Sequence, residues 1–423
     1  MKIKYHKLYK SSDFEWLGDI PEHWKTKRLK DIAKIIDCKN RTPEYFDDGE
    51  YLVIRTSNVR DGRINLDNPS FTNESNFLEW TKRGVPPLGS ILFTREAPAG
   101  EVCLVPSEYK SCLGQRMMNF IPNKNDYSIY LLYYFLSCRT KCYLGSITSG
   151  STVHHLRIPQ VFDIPVIVPP LLEQKTIAHY LDTKTAQIDR KIDLLTQKAT
   201  LYSNLKQSLI NETVTRGLDK TVPMKDSGIE WIGEVPNHWK IKRVKELFEI
   251  SRGRVIALTE LVEDGHYPVY SSQTKDNGCL GYINTFDYEG EYVTWTTDGV
   301  NAGTVFMRRG QFNCTNICGT LKLKSKKQSI TYFSYSLQVS TRHNKRIDTN
   351  GAKIMSNEMA FIQIVAASLS EQEAIADYLD TKTAQIDQII QTINTQIGKL
   401  KELRKTLIND VVTGKIKVVE NEH

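Results

Sequence analysis

The stretch YLDTKTAQID stands at Tyr180–Asp189 and again, unchanged, at Tyr378–Asp387. Around it the match lengthens. EQKTIAHYLDTKTAQID (173–189) aligns with EQEAIADYLDTKTAQID (371–387) at an offset of 198, and the same offset pairs SLINETVT (208–215) with TLINDVVT (406–413). A second repeat precedes each copy: EWLGDIPEHWKTKRLKDIAKI (15–35) aligns with EWIGEVPNHWKIKRVKELFEI (230–250) at an offset of 215. Between these signposts lie two dissimilar stretches. The chain reads as a tandem duplication whose frame was kept while its inserts diverged.

The repeated segments carry helical periodicity. Leu181, Ile188, Ile192, Leu195, Ala199, Tyr202, Leu205 and Leu209 step mostly by three or four, and Leu379, Ile386, Ile390, Ile393, Ile397, Leu400, Leu403 and Leu407 occupy the matching positions. Such spacing draws a thin apolar stripe, as in a coiled-coil seam. About 40 residues at 1.5 Å each would make roughly 60 Å of helix. A helix that long cannot bury its own stripe, so it either lies on a neighbouring domain or pairs with its twin. Antiparallel pairing is the expectation, and it would hold two related heads at a fixed distance.

Length and composition agree with several domains. The chain has 423 residues, 40% apolar and 25% charged, with a net charge of +7, which permits a polyanionic partner without demanding one. No apolar run approaches a membrane span and the start lacks a secretory signal, so a cytoplasmic protein is expected. The eight cysteines at 38, 103, 112, 138, 142, 279, 314 and 318 read as reduced, buried thiols. Cys138/Cys142 and Cys314/Cys318 are spaced C-x3-C, but no companion ligand stands nearby and no metal is expected.

The expected fold class is α+β: two mixed α/β heads separated by two long helices in an antiparallel coiled coil, with a pseudo-two-fold internal repeat. The boundaries fall at 1–170 for the first head, 171–217 for the first helix, 218–368 for the second head and 369–423 for the second helix and tail. β-rich runs at 51–57, 90–96, 161–168, 267–272, 291–297 and 361–368 are bounded by glycine turns. The heads align faintly, YLVIRTSNVRDG (51–62) with YPVYSSQTKDNG (267–278), ILFTREAPAGEV (91–102) with YVTWTTDGVNAGTV (292–305), and TSGST (148–152) with TNGAK (349–353).

Arg, Asn, Gln, Ser and Thr in such loops are the side chains that read base edges. The candidates are Arg55, Thr56, Asn58, Arg95, Gln115, Arg116 and Ser151 in the first head. In the second they are Ser271, Ser272, Gln273, Thr297, Asn301, Arg346, Asn350 and Lys353. The basic runs KTKRLK (25–30), KIKRVK (240–245), LKLKSKK (321–327) and TRHNKR (341–346) suit phosphate contacts or a solvated surface. Trp24 and Trp239 read as anchors of the heads on the helices.

Catalytic signatures are missing. There is no phosphate-binding loop and no dinucleotide fingerprint. DNPSF (67–71) approaches the tetrapeptide of adenine methyltransferases, yet no glycine-rich cofactor loop accompanies it. No enzyme site is expected.

The frame resembles the specificity subunit of type I restriction-modification systems, in which two target-recognition domains alternate with two helical regions. The matching motifs are EWLGDIPEHW and EWIGEVPNHW before the heads, then VPPLLEQKTIAHYLDTKTAQID and AASLSEQEAIADYLDTKTAQID after them. One departure is that Pro169-Pro170 becomes Ala367-Ser368 in the second copy. The resemblance implies a bipartite double-stranded DNA target, one half per head, with the helices fixing the spacer. It implies two methyltransferase subunits that use S-adenosylmethionine, further restriction subunits that use Mg and ATP, and no cofactor on this chain. The duplicated decamer would then offer docking surfaces through Tyr180, Asp182, Lys184 and Gln187, and through Tyr378, Asp380, Lys382 and Gln385. A two-headed coiled-coil adaptor for protein partners would show the same duplication.

Overall fold

The computed structural model describes residues 5–123, 127–148, 155–349 and 351–419. The chain divides into two compact units, residues 1–195 with 395–423, and residues 196–394. Each therefore takes one end of each long helix, Leu171–Arg216 and Leu369–Val412.

In the first unit, Ala33–Asp37, Met117–Pro122, Ile91–Thr94 and Val102–Leu104 form a four-stranded antiparallel sheet. Beside it, Ser111–Leu113 runs parallel to Tyr51–Ile54. The helix Tyr127–Leu136 covers the larger sheet, with Phe135 set 5.7 Å from Phe93 and 5.6 Å from Phe120. The signpost strand Lys25–Arg28 pairs with Pro165–Val168, the strand that leads into the first long helix. Trp24 is 1% exposed, and its indole donates to Glu173 at 3.0 Å. The expected anchoring of the head on the helix is thus made by a buried ring and a polar tip. Each fully buried side chain of this kind contributes roughly 1.5–3 kcal/mol.

The helices run antiparallel within this unit. Ile177 and Leu181 near the start of the first share a core with Ile408, Val411 and Val412 at the end of the second. Farther along, Asp189 meets Arg404 at 3.0 Å. Gly414 ends the second helix at φ +75°, and a Cβ there would stand 2.4 Å from Pro21 Cδ. Only glycine both adopts that conformation without strain and admits the signpost proline.

The second unit repeats the plan on a single six-stranded sheet, in the order Phe248–Arg252, Cys318–Leu323, Tyr288–Thr296, Val305–Cys314, Tyr267–Tyr270, Cys279–Ile283. Its one parallel pairing joins Tyr267–Tyr270 to Val305–Cys314. Lys240–Arg243 pairs with Gln363–Ala366, and the Trp239 indole donates to Glu371 at 3.0 Å. Ile210 and Val214 share a core with Ile375, Ala376 and Leu379, while Lys206 reaches Asp387 at 2.6 Å. That pair is the repeat-mate of Arg404–Asp189. The second helix enters without its prolines because Ser368 replaces them with a capping box. The Ser368 backbone N–H donates to Glu371 at 3.2 Å, and the Glu371 N–H donates back to Ser368 Oγ at 3.4 Å.

Two sequence expectations need correction. Leu205 and Leu403, assigned to the apolar stripe, are each 53% exposed. Lys206 and Arg404, one position on, turn inward to their aspartates, and Ile210 and Ile408 are buried instead. The cysteines are not uniformly buried. Cys138 and Cys142 lie on the outer face of the helix Cys138–Ile147 and are exposed, and Cys279 is half-buried.

Candidate nucleic-acid interface

The two heads share a backbone frame beneath their different side chains. Gly114 N–H donates to Ile54 O, as Thr315 N–H does to Tyr270 O. Arg95 N–H donates to Arg116 O and receives Leu156 N–H at its own carbonyl. Thr297 N–H donates to Ile317 O and receives Ile354 N–H in the same way. Isolated bridges join Glu96 to His155 and Asp298 to Lys353. Equivalent places therefore hold Arg95, Arg116 and His155 in one unit and Thr297, Ile317 and Lys353 in the other. This frame sets Lys353 against His155, three residues beyond its sequence-aligned partner Thr152.

In the first unit, Arg83, Arg95 and Arg116 gather around two carboxylates. Arg95 Nε lies 3.4 Å and Arg83 Nη1 3.8 Å from Asp37, and Arg116 pairs with Glu96. Burial pushes the Asp37 carboxyl above its usual range, although the two guanidiniums pull the other way. Arg116 takes φ +69°, a left-handed conformation uncommon for any residue other than glycine, and its N–H points at Cys38 Sγ, 3.1 Å away. Gln115 reaches Asn40 O at 3.3 Å. Arg55 donates to Asn68 O at 2.8 Å and lies 5.9 Å from the Tyr45 ring centre. Thr56 is half-buried in the same loop. Asn58 faces inward: it is 4% exposed, its Oδ1 accepts from Arg55 N–H and its Nδ2 donates to Asn65 O. Its amide staples the loop.

In the second unit, Asn301 donates to Ser272 O at 2.9 Å, Ser271 shares a hydroxyl contact with Thr315 at 3.3 Å, and Gln273 donates to Cys279 O. These side chains form one neighbourhood at the sheet end, but their amides are occupied by the loop itself. Thr297 is fully buried, and its hydroxyl has no partner among the described residues. Lys353 lies 4.0 Å from Asp298, and the exposed Arg346 pairs with Glu358 at 2.9 Å. Ser151 and Asn350 lie outside the described residues.

Arg308 escaped the sequence reading. It is 2% exposed and pairs with no carboxylate among the described residues. It donates to Asn277 O at 2.8 Å and to Thr294 Oγ1 at 3.2 Å, and its guanidinium sits 3.5 Å from the Tyr270 ring centre. Burial lowers its pKa. The cation–π contact and the carbonyl offset that desolvation. Asp276 and Asn277 take φ +49° and +54°, so Arg308 pins a loop held in left-handed turns. The available signal was parity: in VFMRRGQFNC, Arg308 falls on the same strand face as the buried Phe312.

The decamer is consumed in part by packing. Tyr133 donates to Asp182 at 2.7 Å and contacts Thr185 at 3.0 Å, and Tyr335 does the same with Asp380 at 2.7 Å and Thr383 at 3.1 Å. Tyr180 and Tyr378 are half-buried against their cores. Of the expected docking side chains, Lys184 donates to Gln187 at 3.3 Å, while Gln187, Lys382 and Gln385 face solvent.

Known proteins are similar to this chain in sequence and in fold. The profile of the type I restriction modification DNA specificity domain matches residues 21–199 and 236–399. A candidate type I specificity subunit of Mycoplasma pneumoniae is 33% identical over 245 residues, 57% of this chain and 91% of that protein. The specificity subunit of the type I restriction enzyme MpnII from the same organism is 37% identical over 164 residues, 38% of this chain and 48% of its own. A candidate MjaX specificity subunit of Methanocaldococcus jannaschii is 24% identical over 438 residues, covering 97% and 98%. Among solved structures, a chain from a type I restriction-modification assembly superposes with a TM-score of 0.71 at 15% identity, over 93% of this chain and 98% of that one. The HsdS subunit of Thermoanaerobacter tengcongensis gives 0.51 at 15%, over the same shares.

Proposed function

Because this chain belongs to the family of type I restriction-modification DNA specificity proteins, we propose that its two heads each read one half of a bipartite double-stranded DNA target while other subunits perform the chemistry. The observation that carries this reading is one backbone frame, made twice, that places Arg95, Arg116 and His155 in one unit where the other has the buried Thr297, Ile317 and Lys353. A duplicated enzyme would keep its reactive side chains and vary its surroundings. Here the backbone surroundings are kept and the side chains at the equivalent places vary, as two different half-sites require. Arg55, Arg95, Gln115 and Arg116 read the first half-site, and the loops around Ser271, Gln273, Asn301 and Lys353 read the second. The functional modules run 1–170 and 218–368, and the length of the helices at 171–217 and 369–423 sets the spacer.

Two methyltransferase subunits dock on the helices. Equivalent exposed leucines, Leu205 and Leu403, and the outward Lys and Gln of each decamer support two like contacts. S-adenosylmethionine belongs to those subunits, Mg and ATP to the restriction subunits, and none to this chain. No helix among the described residues is long and apolar enough to cross a membrane, which agrees with work on cytoplasmic DNA.

The test is methylome sequencing of a host with and without the gene, together with DNA binding by the purified complex over a salt series. A bipartite motif that vanishes with the gene, and binding that weakens steeply with salt, are expected. Binding without sequence or salt dependence would instead indicate a protein adaptor.

A further inference from the structure

The indole–glutamate clasp at the entry of each long helix contains a histidine. His23 Nε2 lies 2.6 Å from Glu173 Oε1, and the other carboxylate oxygen accepts from Trp24. The repeat has the same trio, with His238 Nε2 2.9 Å from Glu371 and Trp239 beside it. This trio is structural, since it is made twice. The first unit adds a side chain that the second lacks. At the offset of 215, His6 corresponds to Thr221 (6 + 215 = 221).

His6 is 8% exposed and packs edge-on against Trp24 at 5.4 Å, with its ring 5.5 Å from that of His23. Its ring nitrogens make no hydrogen bond to the described residues and are not fully enclosed, so a ligand or water can reach them. One donor atom each from His6, His23 and Glu173 lies within 4.8 Å of the other two. A largely buried imidazole whose nitrogens are free of protein hydrogen bonds thus stands beside a histidine–carboxylate pair at a spacing that one ion can bridge.

We infer that His6, His23 and Glu173 bind a divalent transition ion of the zinc type, tying the segment around His6 to the entry of the first long helix. Two imidazole nitrogens and one carboxylate oxygen suit zinc better than calcium or magnesium, which prefer all-oxygen shells. With bonds of about 2.0–2.1 Å, tetrahedral donors stand roughly 3.3 Å apart. The His23–Glu173 pair would therefore open slightly and His6 would close on it by side-chain rotation. The Trp24 N–H on the second carboxylate oxygen orients that ligand from outside. Water would complete the shell. Sequence spacing could not reveal the site, because its ligands are 17 and 150 residues apart (23 − 6, 173 − 23).

The experiment uses the untagged full chain with Cys138→Ser and Cys142→Ser, which remove the exposed thiols. Equilibrium dialysis against zinc should give one ion per chain, and cobalt substitution should give a spectrum without a thiolate charge-transfer band. His6→Thr, the residue of the repeat, should weaken binding at least tenfold, while His238→Ala should leave it unchanged. Should His6→Thr fail to fold, cobalt-induced broadening of imidazole NMR signals in the parent decides. Selective loss of the His6 and His23 rings supports the site. Absence of binding, indifference to His6→Thr, a thiolate band, or broadening confined to other rings would overturn it.

Discussion

Tyr133→Phe removes one oxygen and tests how the first head grips its helix. The phenol donates to Asp182 at 2.7 Å and contacts Thr185 Oγ1 at 3.0 Å. Burial pushes its pKa well above the usual range, so it remains a donor at any physiological pH. Asp182 is exposed and water can replace the lost donor, so that bond counts at the low end, about 1 kcal/mol. Thr185 is 4% exposed and its hydroxyl loses its close partner, which adds about another 1 kcal/mol. Roughly 2 kcal/mol corresponds to about a thirtyfold change in an opening equilibrium. Hydrogen exchange reads this locally, without assuming that two units unfold together. Peptides spanning 176–190 should exchange about thirtyfold faster, and those spanning 374–388 should be unaffected. Tyr335→Phe should reverse the pattern. Protection within about threefold of the parent at 176–190, or equal loss in both regions, would refute the accounting.

Gly414→Ala should destabilise the first unit more than Gly217→Ala does the second. Both residues sit at φ +75°, but the new Cβ would meet Pro21 at 2.4 Å in one case and Trp239 at 3.1 Å in the other. About 1–2 kcal/mol of strain is common to both, and thermal melts should show the larger shift for Gly414. Burial alone would raise Glu371, but donors from Ser368, Trp239 and His238 outweigh it and hold its carboxyl at about 2, below its ordinary 4.5. Its contribution is therefore complete above pH 4.5 and lost as pH falls toward 2, so Glu371→Gln should flatten that acid limb for the second unit. Native iodoacetamide labelling should modify Cys138 and Cys142 and spare Cys103 and Cys112, whose thiols burial pushes up to about 12. Arg308→Met should leave the fold intact and relax only the second half-site in methylation mapping. An unaltered motif, or equal change in both halves, would remove Arg308 from the recognition apparatus.

The frame was legible because its constraints act along the chain: a helical period, a decamer repeated without change, and a tryptophan signpost at a constant offset. Its finer register was not. Leu205 fits the apolar period as well as Lys206 fits a salt bridge, and only the facing Asp387 decides between them. The helix Tyr127–Leu136 (YSIYLLYYFL) is apolar on every face, so no period marked it. In the heads, residue type pointed to base reading, yet orientation is a tertiary property. Asn58 turns inward to hold Asn65 and Arg308 is buried beneath its loop, though neither position differs in composition from its exposed neighbours.

Tyr9 donates its hydroxyl to Gly414 O at 3.1 Å, which brings the opening strand of the first unit against the end of the second long helix. In the other unit, the corresponding places are joined covalently by the short stretch from Gly217 to Met224. A bridge of similar length across the first gap, with a cut made in the second, would produce a re-ordered polypeptide able to form every hydrogen bond described above. The covalent path then matters less than the ring of contacts it threads, and such a permutant should bind and fold like its parent.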